Sequence, residues 1–235
     1  MNINRNLPIA IIDSGIGGLS LLKEISQKYP SENYIYLADN QYMPYGNKSA
    51  KFIKTRLLEL INQLYNTFDI KLVILACNTA SITSLEYLNK HSPVKVMGLN
   101  IRGLTDTLAS NYRVLCTKLS SKGYNDLNVY PCTRLAKDIE ENIFDISTLN
   151  RKIKNVLNKA NITESNIILG CTHYELVASK FKALEPNKNF ILPCREFVKD
   201  LHIDKPNIGV KGDILMISTL ATKSYIDKLW KIFKS

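Results

Sequence analysis

Short apolar runs alternate with helical patterns along most of this chain of 235 residues. The runs are too short for helices, and the segments between them repeat apolar residues at helical spacing. In the first half the predicted order is strand 9–12, helix 20–28, strand 34–38, helix 50–66, strand 72–76, helix 80–90 and strand 94–99. Strand followed by helix, repeated, predicts an α/β fold with a parallel sheet that is covered on both faces.

The pattern begins again in the second half of the chain. Its predicted elements are strands 113–116, 128–130, 167–169 and 190–192, with helices 135–141, 148–160 and 173–184. We therefore expect two α/β lobes, 1–98 with 208–235 returning to it and 99–207, joined by a crossover near 99–111 and a return near 203–212. Ligands of such sheets bind beyond the carboxyl ends of the strands, so the cleft between the lobes is the expected site.

Two similar strings place a cysteine at the end of a predicted strand. They are LACNTA at 75–80 and LGCTHY at 169–174. The residues after each cysteine begin a predicted helix, whose positive end is expected to lower the pKa of the thiol and favour the thiolate. Cys77 and Cys171 in equivalent places indicate a two-fold site with one thiol on each side of a ligand.

Composition excludes several classes of protein. The hydrophobic fraction of 45% is enough for sizeable cores, and no apolar run approaches the roughly 18 residues that a membrane helix needs. The first residues lack the apolar segment of a secretory signal, so a cytoplasmic protein is expected. Five cysteines at irregular spacing, with no CxxC pair, indicate free thiols rather than a disulfide framework or a zinc ribbon.

A net charge of +10 raises the possibility of nucleic-acid binding. The lysines are spread along the chain, however, and the densest group, 223–234, is typical of the solvent face of a terminal helix. This distribution disfavours specific nucleic-acid binding and is compatible with a basic surface that attracts a small acidic substrate.

A glycine-rich string, DSGIGG at 13–18, follows the first predicted strand. Its backbone N–H groups could approach an anion, or the string could be a tight strand-to-helix turn with Asp13 or Ser14 as the helix cap. Ser20 stands where a dinucleotide fingerprint needs glycine, so that motif is excluded. Asp13, at a strand end in the predicted cleft, is the better candidate for a functional role.

Other candidate residues also cluster near predicted strand ends. Asp39 ends the second strand, and Pro44-Tyr45-Gly46 forms a loop that can present main-chain donors and a phenol to a ligand. The side chains of Asn78, Thr79 and Thr172 can donate hydrogen bonds to a carboxylate, and His173 can orient or deprotonate a thiol or a bound ammonium group. No acidic or histidine cluster has the spacing of metal ligands, so no metal site is predicted.

Four of these strings, in this order, resemble the glutamate racemase family within the aspartate/glutamate racemase superfamily. They are DSG with GG at 13–18, AD with PYG at 38–46, CNTAS at 77–81 and GCTHY at 170–174. Each string is weak alone, but the four span most of the chain and include both cysteines. The resemblance implies two flavodoxin-like lobes related by pseudo-two-fold symmetry, with the active site between them.

The resemblance also implies a cofactor-independent racemase, without pyridoxal phosphate or metal, that supplies D-glutamate for peptidoglycan. Cys77 would act on the D-enantiomer and Cys171 on the L-enantiomer, assisted by Asp13 and His173 respectively. The implied substrate-binding residues are Ser14, Asp39, Pro44, Tyr45, Gly46, Asn78, Thr79 and Thr172. Glu140 matches a family glutamate in a similar helix. A homodimer is also compatible with the resemblance.

Several segments depart from the family pattern. The stretch at 96–100 lacks an expected acidic-proline sequence, 117–121 only loosely resembles a threonine-rich loop, and Pro193-Cys194-Arg195 stands where an aspartate-proline pair is usual. These departures leave open the choice between glutamate and aspartate or another acidic amino acid. The third alternative is an inactive homologue that binds a small molecule or nucleic acid. The presence of both thiols disfavours this alternative.

Overall fold

The computed structural model describes residues 6–106, 108, 110–124, 126–203 and 211–235. The strands are β1 Ile9–Asp13, β2 Tyr34–Ala38, β3 Leu72–Leu75, β4 Val96–Gly98, β5 Tyr112–Cys116, β6 Val129–Pro131, β7 Asn166–Gly170, β8 Asn189–Ile191 and β9 Ile214–Ser218. The helices are α1 Leu19–Lys28, α2 Ala50–Phe68, α3 Asn78–His91, α4 Arg102–Thr105, α5 Lys118–Gly123, α6 Leu135–Asn142, α7 Ile146–Ala160, α8 Thr172–Leu176, α9 Ala178–Leu184, α10 Pro193–Asp200 and α11 Lys223–Lys234.

The first sheet is parallel, with the strand order β4-β3-β1-β2-β9 among the described residues. Side chains alternate across it, as the period of a strand requires. Ile9 and Ile11 face a core that includes residues of α1, α10 and α11, whereas Ala10 and Ile12 face α2 and α3. Helices therefore cover both faces, which explains why β1, β2 and β3 are buried throughout.

The second sheet is also parallel, and its described strands lie in the order β6-β5-β7-β8. Read in the opposite direction, β8-β7-β5-β6 repeats the order β4-β3-β1-β2 of the first sheet. Strand β7 is thus the counterpart of β3, and β5 is the counterpart of β1. The predicted α/β fold of two related parallel-sheet lobes is confirmed, and the two cysteines follow equivalent strands.

Local sequence explains where the long helices begin and end. The Ser49 hydroxyl accepts the Phe52 N–H at the start of α2, and the Asp145 carboxylate accepts the Thr148 N–H at the start of α7. Both helices end at residues with left-handed backbone, Asp69 with φ 51° and Asn161 with φ 43°. Asparagine and aspartate tolerate this conformation better than most residues, so these positions suit helix ends.

The structure differs from the predicted elements at several places. The predicted helix 173–184 is divided at Val177 into α8 and α9, and α5 and α10 were not predicted. Helix α10 buries Cys194 and Val198 in the core of the first sheet, where Leu201, the residue after the helix, joins them. The predicted crossover contains α4, and the part of the predicted return at 204–210 lies outside the described residues. Among the described helices, none has the length and hydropathy needed to cross a membrane.

Candidate active site

A small cavity lies where the carboxyl ends of the two sheets face each other. Its volume is about 10 Å³, far below the roughly 300–1,000 Å³ of typical ligand pockets. Its lining residues are Ser14, Pro44, Tyr45, Gly46, Cys77, Asn78, Thr79, Thr117, Ala136, Cys171, Thr172 and His173. Residues of both lobes contribute, and the space between them is too small for an amino acid, so the lobes must part before a substrate can enter.

Both candidate thiols lie at the starts of helices and line this cavity. Cys77 follows β3 at the N-terminus of α3, and Cys171 follows β7 at the N-terminus of α8. They are only 6% and 7% exposed. Hydrogen bonds from the Ser14 hydroxyl and from the backbone N–H groups of Ala80 and Thr79 favour the thiolate of Cys77. Hydrogen bonds from the backbone N–H groups of His173 and Tyr174 favour the thiolate of Cys171.

The predicted lowering of the thiol pKa is wrong for this closed site. Burial, with a contribution from the charge of Asp13, raises the pKa of Cys77 to about 12. Burial, with the nearby Cys77, raises the pKa of Cys171 well above its ordinary value. The helix N-terminal N–H groups do favour the thiolates, but removing the thiols from water has the larger effect. Burial therefore favours the protonated form of both thiols.

Asp13 lies behind the cavity wall and joins the two lobes. Its Oδ2 accepts the hydroxyl of Thr172 at 3.0 Å, and its Oδ1 accepts the Gly15 N–H at 2.9 Å. Burial raises the pKa of Asp13, although the charge of His173 and these two hydrogen bonds oppose the shift. A carboxyl group with a raised pKa can accept and release a proton more readily near neutral pH.

The glycine-rich string brings the two lobes into close contact. Its Ile16 N–H donates to Glu140 Oε2 at 2.9 Å, so the anion that it binds is a carboxylate of the other lobe. A Cβ atom on Gly15 would lie 2.4 Å from Glu140 Oε2, and one on Gly17 would lie 2.5 Å from His173 Nδ1. Helix α1 begins after Gly18 without a side-chain cap, so the alternative in which Asp13 or Ser14 caps this helix is wrong.

His173 forms a buried ion pair with Glu140. The distance from His173 Nε2 to Glu140 Oε2 is 2.8 Å, and the two residues are 1% and 4% exposed. Burial lowers the pKa of His173, but the hydrogen bond and charge of Glu140 outweigh it, so the imidazole pKa is raised. Conversely, burial raises the pKa of Glu140, but His173 and other donors outweigh it and lower the pKa. The pair therefore keeps a proton on the imidazole at the cavity wall.

Asn78 and Thr79 connect α3 to the second lobe. Asn78 Nδ2 donates to the carbonyl of Gly170 at 2.8 Å, which fixes the strand end before Cys171. The Thr79 hydroxyl lies 3.0 Å from both Thr117 Oγ1 and Ser120 Oγ. This hydroxyl cluster places several small donors and acceptors at one end of the cavity, as recognition of a carboxylate requires.

Asp39 acts behind Tyr45 rather than at the cavity surface. Its Oδ2 accepts the phenol of Tyr45 at 2.7 Å, and Arg56 donates from Nη2 to Oδ1 at 2.8 Å and from Nε to Oδ2 at 3.1 Å. Asp39 is fully buried, whereas the Arg56 side chain is 18% exposed. The bidentate pair fixes the carboxylate, which in turn fixes the lining residue Tyr45.

Replacing Arg56 with methionine is expected to lower the free energy of unfolding by about 2 kcal/mol, because a buried carboxylate then loses its charged donor. Urea unfolding of Arg56→Met would measure the loss, and the double variant Arg56→Met/Asp39→Asn should recover part of it. Arg151→Met, on the exposed surface of α7, is the matched control. Equal stability of Arg56→Met and the control would contradict the proposed support of Asp39.

The predicted site residues form two groups. Ten of them line the cavity directly, and the other three, Asp13, Asp39 and Glu140, each hydrogen bond to a lining residue. Sequence reasoning did not select Thr117 or Ala136, which also line it. Aligning the two halves would have found Thr117, since it follows β5 as Ser14 follows the equivalent strand β1.

The known proteins most similar in sequence to this chain include glutamate racemases. One from Buchnera aphidicola subsp. Schizaphis graminum is 34% identical over 228 residues, covering 88% of this chain and 89% of that protein. The solved structure from Campylobacter jejuni subsp. jejuni is 27% identical, with a TM-score of 0.78 over 97% of this chain and 98% of that one.

A second solved structure, the Francisella tularensis glutamate racemase in complex with D-glutamate, shares the fold. It is 22% identical, with a TM-score of 0.79 over 98% of this chain and 95% of that one. No family model matches the chain. The identity to the Buchnera relative over most of both chains, together with the paired cysteines between two parallel sheets, shows that this chain belongs to the glutamate racemase family.

Proposed function

We propose that this chain interconverts L-glutamate and D-glutamate by a two-base mechanism without a cofactor. The observation that carries the proposal is the placement of Cys77 and Cys171 after topologically equivalent strands, on the wall of one cavity. Inversion at a carbon atom needs a base on one face and an acid on the other. A thiol suits both roles, because the same group can accept and return a proton.

In the direction from L to D, Cys171 as thiolate removes the α-proton and becomes a thiol. Cys77 then donates its proton to the opposite face and becomes a thiolate, so the enzyme must exchange protons before the next turnover in the same direction. In the direction from D to L the two roles reverse. The substrate ammonium group brings a positive charge into the cavity, which favours the thiolate that burial alone disfavours.

The surrounding residues assist each thiol differently. The negative charge of Asp13 favours the protonated form of both thiols but is the largest effect after burial only for Cys77, and the raised pKa of Asp13 allows it to exchange a proton. The protonated imidazole of His173, held by Glu140, favours negative charge on the other side of the cavity. These opposite charges suit a reaction in which one thiol is the acid while the other is the base.

The remaining lining residues suit binding of an acidic amino acid. Asn78, Thr79 and Thr117 provide amide and hydroxyl groups, and Tyr45 and Gly46 provide main-chain donors. The hydroxyl groups of Thr172 and Tyr45 already donate to Asp13 and Asp39, so they can accept from the substrate ammonium group. Donors that are already fixed by the fold stabilise the negative charge that develops when the α-proton leaves. The glutamate preference, and the use of D-glutamate for peptidoglycan, rest on family membership.

Circular dichroism of separate solutions of L-glutamate, D-glutamate, L-aspartate and D-aspartate tests the proposal. With purified protein in metal-free buffer, we expect both glutamate signals to decay to zero while both aspartate signals stay constant. The double variant Cys77→Ala/Cys171→Ala serves as the blank. Decay of aspartate instead would refute the substrate assignment, and no decay of either amino acid would refute the activity.

A further inference from the structure

Glu140 receives hydrogen bonds from three separate segments of the chain. Oε2 accepts from His173 Nε2 at 2.8 Å and from the Ile16 N–H at 2.9 Å, and Oε1 accepts the phenol of Tyr225 at 2.7 Å. The Lys228 ammonium donates to the main-chain oxygen of Glu140 and lies 3.7 Å from Oε1. Both carboxylate oxygens are therefore occupied, and two of the four donors, Tyr225 and Lys228, belong to α11.

Helix α11 reaches Glu140 from the other lobe. Leu229 and Ile232 of this helix are buried in the core of the first sheet, together with Ile9 and Leu22. Glu140 lies on α6, whose Leu135 and Ile139 belong to the core of the second lobe with Leu169 of β7. The Tyr225–Glu140 hydrogen bond thus crosses between the lobes, alongside the contact made by Ile16.

The Tyr225 phenol helps determine where the shared proton resides. It stabilises the ionised carboxylate and, with the other donors, lowers the pKa of Glu140, so the proton stays on His173. Without this donor the carboxylate becomes a stronger base, and more of the proton density moves from the imidazole to Glu140. The cavity wall beside Cys171 would then carry less positive charge.

We propose that Tyr225 is a positioning residue that acts through Glu140 to hold His173 oriented and protonated for the half-reaction of Cys171. The proposal rests on the two-thiol function proposed above and adds a residue outside the cavity. It makes the orientation of His173 on the L-specific side depend on the packing of α11, because the phenol reaches Glu140 across the contact between the lobes.

The direct test is the ionisation state of His173 in Tyr225→Phe. The chain contains three histidines, so ¹⁵N-histidine labelling gives few ring signals, and those of His173 can be assigned by their loss in His173→Gln. At neutral pH we expect the His173 ring signals of Tyr225→Phe to move from protonated towards neutral values. Tyr65→Phe, the same chemical change on the exposed surface of α2, should leave them unchanged.

Kinetics provide the second readout. We expect kcat/KM of Tyr225→Phe to fall about tenfold, the lower end of the losses caused by removing the hydrogen-bond partner behind a metal-binding side chain, which is a comparable support. Because L- and D-glutamate have equal free energies, kcat/KM must fall equally in both directions. The affected half-reaction is therefore identified with α-deuterated substrates, whose C–D bond is broken by Cys171 in L-glutamate and by Cys77 in D-glutamate.

If the Cys171 step is slowed, the deuterium isotope effect on kcat/KM rises with L-glutamate and falls with D-glutamate. The acid limb of the pH profile also moves to higher pH, because loss of a donor raises the pKa of Glu140. A purely structural loss would lower the rate without changing the ratio of the two isotope effects. The thermal unfolding midpoint of each variant is measured as well, so that rates are compared only at temperatures at which every variant is folded.

The proposal requires both the change in the His173 signals and the asymmetric isotope effects. The role of Tyr225 is refuted if the His173 signals or the isotope effects of Tyr225→Phe equal those of Tyr65→Phe. It is also refuted if the isotope effect falls with L-glutamate and rises with D-glutamate. Failure of the two-thiol function would look different, because the wild-type protein itself would then not racemise glutamate. The histidine signals still test the link between Tyr225 and His173 in that case.

Discussion

Cys77→Ala is expected to lower the rate of glutamate racemisation by about 10⁴-fold, the upper end of what one positioned acid–base group contributes. The loss should be selective for one face of the substrate. In D₂O, Cys77→Ala should still exchange the α-proton of L-glutamate slowly through Cys171, without inversion. Cys171→Ala should show the reverse, with slow exchange of D-glutamate only. Proton NMR of each enantiomer, combined with circular dichroism, would measure exchange and inversion separately.

Cys194→Ala is the matched control for these variants. Cys194 is as buried as the two candidate thiols, but it lies on α10 and its Sγ contacts Ser20 Oγ at 3.5 Å rather than the cavity. Its removal should affect stability more than activity. Racemisation at the wild-type rate in either Cys77→Ala or Cys171→Ala would exclude that thiol from the mechanism.

Gly17→Ala is expected to lower kcat/KM by about 100-fold, because a displacement of roughly 1 Å in an active site can cost that much. The added methyl group would lie 2.5 Å from both His173 Nδ1 and Thr172 Oγ1, and 2.6 Å from the His173 backbone nitrogen. A backbone atom cannot move aside as a flexible side chain can. The lobes must therefore separate slightly, which increases the distance between the two thiols across the substrate.

Thiol reactivity distinguishes separated lobes from unfolding. Cys77 and Cys171 are nearly inaccessible in the closed structure, so Gly17→Ala should react faster with a thiol reagent while its circular dichroism stays native. Gly103→Ala is the control, because the nearest atom to its new methyl group, Asn100 Nδ2, is 3.8 Å away. Wild-type activity in Gly17→Ala would show that the close contact at Gly17 is not needed for catalysis.

The fold was largely predictable because its signal is local. Apolar runs such as Ile9–Asp13 and Leu72–Leu75 are buried on both faces of a parallel sheet, and they alternate with helices of amphipathic pattern. Helix α10 could not be predicted in the same way. Its buried residues Cys194 and Val198 acquire a core only by packing on the first lobe, which local spacing does not reveal.

Sequence by itself determined the residue types of the site and their positions at strand ends. Parallel strands bring their carboxyl ends to one edge of the sheet, so the polar residues that follow the apolar runs lie close together there. The sequence could therefore identify both cysteines, Asp13, Tyr45 and His173 as candidates. Tertiary structure alone decided how these groups ionise. The thiol pKa depends on burial between two lobes rather than on the adjoining helix, and this burial reverses the expected shift.

Tertiary structure also decided which distant residues support the site. Arg56 behind Asp39 and Tyr225 behind Glu140 lie 17 and 85 positions from their partners. Neither belongs to a motif, because a hydrogen bond across the fold leaves no regular spacing in the sequence. Which residues can perform the chemistry is thus a local property of the chain. Their protonation and orientation depend on desolvation and contacts that exist only once the two lobes have closed.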